Sequence, residues 1–363
     1  MNGVTLRAGA TLGATLLLFG CRSPEPIRPR IERGPPPPVG PTLTTQSSGT
    51  DVLLQAISPV SDDVVWVSGH GATYAFTTDG GTTWTANTVP GVGGLQFRDV
   101  HAFDARTAVL MSAGSGDQSR MYRTEDAGDT WSLRWTNEEP DGFYDCVDFW
   151  DRERGVAYGD AVGGQLRILR TSDGGRTWRR LDGATLPPAR DGEGGFAASG
   201  TCVLTRPGGL GWIATGNASG ARVLRTADYG ETWTAHDVPV VSGQGAGLTS
   251  VAMIDDLVGV AFGGDLAVAD AHTDNVARTV DGGLSWSLGA QPAMVGAIYG
   301  GAHVPGTTGS LVVVGPGGAD LSFDGGATWE PLDSSAWWGV AASGSDAIWV
   351  AGPDGRIARI SIP

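Results

Sequence analysis

Six copies of one eight-residue pattern at a near-constant spacing, a glycine-rich chain with no lysine, and recurrent short apolar runs predict an all-β fold, a seven-bladed β-propeller. Of the 363 residues, 58 are glycine, about 16% against a usual ~7%. Each glycine inside a helix costs roughly 1 kcal/mol relative to alanine, so short strands joined by glycine turns suit this composition better. Thirteen tryptophans and a 40% hydrophobic content exclude a disordered chain, because they can build a sizeable core.

The N-terminus reads as a targeting signal outside the fold. Arg7 supplies a minimal basic region, and Ala8 to Gly20 form an apolar run of 13 residues, short of the ~20 that span a bilayer. Residues 1–20 are therefore expected to be a signal peptide. Leu18-Phe19-Gly20-Cys21 resembles the bacterial lipobox, in which cleavage before the cysteine leaves a thiol that accepts diacylglycerol. That resemblance implies lipidation at Cys21 and an exported protein anchored in the cell envelope. Residues 21–41 follow as a linker with eight prolines, including Pro35 to Pro38, and favour an extended polyproline II spacer.

Residues 42–363 carry the repeat. The pattern Thr/Ser-x-Asp-x-Gly-x-Thr/Ser-Trp occurs at Thr77–Trp84, Thr124–Trp131, Thr171–Trp178, Thr226–Trp233, Thr279–Trp286 and Ser322–Trp329. Its aspartates, Asp79, Asp126, Asp173, Asp228, Asp281 and Asp324, are 47, 47, 55, 53 and 43 residues apart. Asp can accept bonds from backbone N–H groups just ahead, Gly accepts positive φ, and Trp re-enters a strand with a large face to bury. Each copy is thus a hairpin turn between two strands. Apolar runs upstream of it, such as Val64 to Gly69 and Gly259 to Gly263, supply two more strands per unit. After the sixth copy, Trp338 to Ala341, Ala347 to Gly352 and Arg356 to Ile360 read as three strands with no fourth. Thr42 to Thr45 can complete that last blade and close the ring without an open edge. Seven blades of about 46 residues match the observed period, with six as the alternative.

The repeated unit resembles the Asp-box, or BNR repeat, of sialidases, sortilin-type receptors and photosystem II stability/assembly factors. Thr-x-Asp-Gly-Gly-x-Thr-Trp after a Gly-Val-Ala strand is most similar to the last of these, over the chain from about residue 42. The resemblance implies a seven-bladed, extracytoplasmic, non-enzymatic protein that helps assemble membrane complexes, with the Asp-boxes on the rim away from the binding face. Photosynthetic members present an arginine-rich surface that has no counterpart here. The chain is therefore more similar to their look-alikes in non-photosynthetic bacteria.

Charge and loops set the remaining expectations. Net charge is −15, and residues 1–41 hold five Arg and two Glu, so the body carries −18. Such a surface repels phosphate backbones, so nucleic acid is excluded as a partner. The long loops opposite the boxes place Asp145, Arg190, Asp191, Glu193, Asp265, Asp270 and Asp274 on one face. They are expected to bind a protein or membrane complex with an electropositive contact surface. A glycoside hydrolase or glycan-binding propeller is the alternative, with Asp145, Asp191, Glu193 and Asp265 as candidate carboxylates. A sialidase would need an arginine triad, and only Arg98 and Arg190 fall near suitable loops. No cofactor is expected. Asp270-x-His272-x-Asp274 is a weak candidate clip for a divalent ion. Cys146 and Cys202 fall at near-equivalent positions of neighbouring blades, either as a disulfide or as two buried thiols.

Overall fold

The computed structural model describes residues 40–363, with Met1 and Gly3, and folds them into seven four-stranded antiparallel sheets. The signal peptide, Cys21 and nearly all of the linker lie outside the described residues. β1 (Thr42–Ser47) is first in sequence but last in the ring. Blades 1 and 2 are β2 (Leu54–Pro59), β3 (Val65–Gly69), β4 (Thr73–Thr77), β5 (Thr85–Thr88), then β6 (Phe97–Ala102), β7 (Ala108–Ser112), β8 (Arg120–Thr124), β9 (Ser132–Thr136). Blades 3 and 4 are β10 (Tyr144–Phe149), β11 (Gly155–Val162), β12 (Gln165–Thr171), β13 (Arg179–Arg180), then β14 (Val203–Arg206), β15 (Leu210–Ala214), β16 (Arg222–Thr226), β17 (Thr234–Asp237). Blades 5 and 6 are β18 (Ala246–Met253), β19 (Gly259–Asp265), β20 (Val276–Thr279), β21 (Ser287–Leu288), then β22 (Gly300–His303), β23 (Leu311–Gly315), β24 (Gly318–Ser322), β25 (Glu330–Asp333). Blade 7 is β26 (Gly339–Gly344), β27 (Ala347–Ala351), β28 (Arg356–Ser361) and, as its outer strand, β1.

The ring closes where the sequence places the closure. β1 pairs antiparallel with β28 from Thr42↔Ser361 to Ser47↔Arg356. Seven sheets exclude the six-bladed alternative.

The aspartate turns share one bonding scheme. Thr77 Oγ1 donates to Asp79 Oδ1 at 2.8 Å and accepts from Gly81 N at 2.9 Å, while Thr83 N and Oγ1 donate to the two carboxylate oxygens at 2.9 and 2.7 Å. The same contacts recur around Asp126, Asp173, Asp228, Asp281 and Asp324. They hold the Asp126, Asp281 and Asp324 carboxyls down at about 2, the hydroxyl four residues on contributing most and its backbone N–H next. The residue after each aspartate sits at positive φ, a place four turns give to glycine. Two do not: Ala127 (φ 65°) and Tyr229 (φ 60°), the latter held by Trp150 and by Arg154 lying 3.5 Å over its ring.

Each turn docks on the blade before it. Trp84 of blade 1 meets Trp349 of blade 7 edge-on at 5.8 Å, Trp131 meets Trp66 at 6.2 Å, and Trp329 meets Phe262 at 6.0 Å. Arginines reach across the same seams. Arg123 Nε donates to Gly174 O at 2.8 Å, Arg225 Nε to Gly282 O at 2.9 Å, and Arg359 Nη1 to Gly80 O at 3.2 Å, each acceptor lying in the next blade's turn. From blade 1 to blade 2 the donor is instead Tyr74 Oη, 2.9 Å from Gly128 O. The planar guanidinium can give one N–H to a carbonyl and keep others for neighbouring acids, which a lysine ammonium does less well.

Arg123 is buried, so Arg123→Met keeps the packed stem and removes only the inter-blade donor. Stability should fall by about 1–2 kcal/mol in chemical denaturation. No change would show that the seam is held by apolar packing alone.

Candidate functional site

The longest loop of the expected binding face does not stay on the surface. Between β13 and β14 the chain forms two bridging bonds with Gly216 through Gly194, then drops into the central channel as a plug. Gln55 Nε2 of blade 1 donates to Ala197 O at 2.6 Å, Ser199 Oγ donates to Tyr299 O of the blade 5–6 loop at 2.7 Å, and Thr201 Oγ1 meets Ser250 Oγ of blade 5 at 2.8 Å. Gly200, at φ +76°, passes so close to blade 2 that a Cβ there would stand 2.4 Å from Asp99 Oδ1. Small residues are required because the innermost strands converge on this axis.

Asp145 lies beneath the plug, fully buried beside Asp160 of β11. Gly195 N donates to Asp160 Oδ1 at 3.0 Å, and a Cβ on Gly195 would come within 2.7 Å of the Asp145 carboxyl carbon. Burial raises the Asp145 carboxyl well above the usual range, and the neighbouring Asp160 raises it further against the pull of Arg98. Asp160 is itself pushed up to about 6 by burial. Asp145 Oδ2 has no well-aligned hydrogen-bond donor, although the backbone N–H groups of Gly195 and Ala197 lie near the carboxyl; a proton shared with Asp160 satisfies it.

Glu193 is also internal. Its Oε1 accepts from Thr215 Oγ1 and from Arg222 Nε, both at 2.9 Å, and its Oε2 accepts from Arg190 N at 2.8 Å and from Arg222 Nη2. The pair is fully bonded, as a buried ion pair must be. Two of the expected surface acids are thus structural: Glu193 because its loop turns inward, and Asp145 because it stands on β10 under that loop. Arg190 stays near the surface, 2.6 Å from Asp237 Oδ1. Asp191, Asp270 and Asp274 are exposed, and Asp265 is half-buried, accepting from Ala267 N at 2.9 Å. His272 is 2.6 Å from the Pro292 carbonyl through Nε2, which must then carry the proton, so that nitrogen has no lone pair for a metal. Among the described residues no cluster of His, Cys, Asp and Glu has the makings of a metal site. Cys146 and Cys202 are joined, with Cα atoms 5.9 Å apart, tying blade 3 to the end of the plug.

Above the plug lies a shallow pocket of about 230 Å³, walled by Gln55, His70, Arg98, Phe196, Tyr299 and Trp338. Its donors are set by a relay. Gln55 spends its amide N–H on Ala197, so its Oε1 accepts from His70 Nε2 at 3.0 Å, leaving His70 Nδ1 as the free acceptor. Burial, then the nearby Arg98 charge, lower the His70 pKa and keep the ring neutral. Arg98 is held by Gln96 Oε1, 3.0 Å from Nε, and Tyr299 and Trp338 meet edge-on at 5.3 Å. A fixed cation, a neutral imidazole and two aromatic rings can grip an extended polar chain carrying an apolar side group. Sequence reading places Arg98 near this face but misses Gln55 and His70 of blade 1, Tyr299 of the blade 5–6 loop and Trp338 at the start of blade 7. Below the plug the channel reopens toward the aspartate turns as a cavity of about 500 Å³.

Fold and site together define a closed seven-bladed β-propeller with a plugged axis and a shallow aromatic pocket on the face opposite its aspartate turns. No protein-family model and no curated protein matches the sequence. Among solved structures the chain is similar to YCF48 bound to D1 peptide, at 17% identity and a TM-score of 0.63, covering 88% of this chain and 97% of that one. YCF48 from Cyanidioschyzon merolae is similar at 18% identity and 0.60, over 88% and 98%. The GH74 xyloglucanase from Xanthomonas campestris matches at 14% and 0.59, over 87% of this chain and 53% of the enzyme. At these identities the likeness is one of fold.

The carboxyl pair gives a pH signature. Unfolded, both groups ionise near the ordinary carboxylate range, whereas in the folded protein burial pushes Asp160 up to about 6 and holds Asp145 well above that ordinary range. Stability from this source is complete at low pH and is lost as pH rises from about 4, through about 6 where Asp160 ionises and on through the raised range of Asp145. Asp145→Asn mimics the protonated pair permanently. It should raise stability at pH 7.5 and flatten that part of the profile of melting temperature against pH. An unchanged profile would mean that the pair is not proton-sharing.

Proposed function

We propose that this is a non-enzymatic, lipid-anchored propeller of the cell envelope that binds another protein, in the manner of an assembly-factor scaffold. Its aspartate turns are then Asp-boxes of the BNR type, serving the fold and not the partner. The observation that carries the reading is the plug. It closes the axis and leaves a shallow floor ringed by Arg98, His70, Tyr299 and Trp338, suited to a protruding segment of a folded partner. Likeness to YCF48, whose solved structure holds a D1 peptide, supports a peptide segment as the occupant. Asp145 and Glu193, two acids that the glycosidase alternative would call on, are consumed beneath the surface. The exposed Asp191, Asp270 and Asp274 add a rim charge that favours an electropositive contact and speeds its encounter.

A photo-crosslinking residue at Leu266, on the pocket wall, tests this in envelope membranes against the same residue at Thr83 on the aspartate-turn rim. A discrete protein adduct should form from position 266 and not from 83. Trp338→Ala should cut it at least about tenfold, the loss typical of an aromatic anchor. Hydrolysis of xyloglucan or aryl-glycosides, abolished by replacing one exposed acid such as Asp191, would overturn the scaffold reading.

A further inference from the structure

Within each aspartate turn, two positions are exposed and their side chains stand outside the shared bonding scheme: the residue before the aspartate and the residue after the second glycine position. In the first four turns they are Thr78 and Thr82, Glu125 and Asp129, Ser172 and Arg176, and Ala227 and Glu231. In the last two they are Val280 and Leu284, and Phe323 and Ala327. Nothing in the turn demands the change, since the same bonds form in all six. Val280 is 73% exposed and Leu284 52%, and Phe323, at the matching turn position of blade 6, is 38% exposed. Leu257, in the β18–β19 turn, and Leu288, on β21, extend the patch. A groove of about 380 Å³ lined by Val280, Leu288 and Ala327 makes it continuous from blade 5 to blade 6. Clustered exposed apolar side chains of this kind mark an unfilled contact.

The start of the fold indicates what fills it. β1 begins at Thr42 on this same rim, next to Gly80 and Thr82 of the first aspartate turn. The described chain therefore enters the body on the aspartate-turn face of blade 7, the neighbour of blade 6. Resting on the lipid-anchored reading above, that face is the one drawn toward the bilayer. A short tether raises the local concentration of membrane surface to the millimolar range, at which a weak apolar contact is occupied. The acidic body disfavours an anionic leaflet. We propose that the apolar rim of blades 5 and 6 seats the propeller on a zwitterionic bilayer surface, aspartate turns down, and presents the Trp338 pocket to the compartment beyond.

Nitroxide labels at Leu284→Cys and Asp191→Cys in the full-length chain, reconstituted in phosphatidylcholine vesicles, read this directly. The label at 284 should be more accessible to oxygen than to a water-soluble nickel chelate, and the label at 191 the reverse. Val280→Ser with Phe323→Ser should return the 284 label to water while the anchor keeps the protein on the vesicle. An aqueous 284 label in the acylated protein overturns the seating and leaves the anchor intact. If mass spectrometry finds no acyl group, the anchor reading fails, and flotation of the unacylated chain decides the surface. Binding to phosphatidylcholine that falls about tenfold in the double serine variant upholds it. No binding at millimolar lipid, or a dimer in sedimentation that depends on Phe323, overturns it.

Discussion

A ring of blades is stable only if its first and last strands meet, and here the meeting rests on the antiparallel pairing of β1 with β28. Apart from the plug, which reaches across the channel, the blades dock nearest neighbour on nearest neighbour, and this pairing makes that docking cyclic. Trp84, in the first aspartate turn, shows the dependence most clearly: its ring packs on Trp349 of blade 7, and its Nε1 donates to Gln46 of β1 at 2.8 Å. Arg359 of β28 reaches the same turn through Gly80. The seam between the two chain ends thus carries the same tryptophan and arginine contacts as the internal seams, with one strand borrowed from the N-terminus.

Closure by a ring of converging strands leaves an axial hole, and the chain fills it with a loop poor in side chains. The cost is visible in the groups around it. Asp145 and Asp160 are held beneath Gly195 in an environment that favours a shared proton, and Asp99 is buried against Gly200 with its carboxyl raised by burial. Asp99 is retained because its oxygens accept from Val100 N and Val147 N, both at 2.7 Å, stitching blade 2 to blade 3. These acids hold the scaffold together from inside, while the pocket above them is lined by uncharged or cationic side chains.

The spacing of the six aspartates made the blade count legible, and the missing strand followed from Thr42 to Thr45, because both are local or periodic facts. The pairing of Cys146 with Cys202 was legible as one of two alternatives, since equivalent positions in adjacent blades come close. The plug was not legible: Gly183 to Gly200 has the composition of any surface loop, and its inward path is set by the axial void that seven blades leave. Glu193 looked solvated for the same reason, its partner Arg222 being 29 residues away on β16. The pocket escaped because its residues share no motif, and the blade 1 pair Gln55 and His70 meets Tyr299 and Trp338 only through the ring. Trp338 in particular reads as the start of a strand, whereas β26 begins one residue later and leaves the indole on the face.

Native-state hydrogen exchange across the seam tests the closed ring most directly. If one cooperative ring is formed, the amides of β1 that bond to β28 exchange with the same opening free energy as those of β15, in the middle of the chain. Amides of β1 that exchange freely, as in a frayed terminal strand, while β15 stays protected, would contradict it.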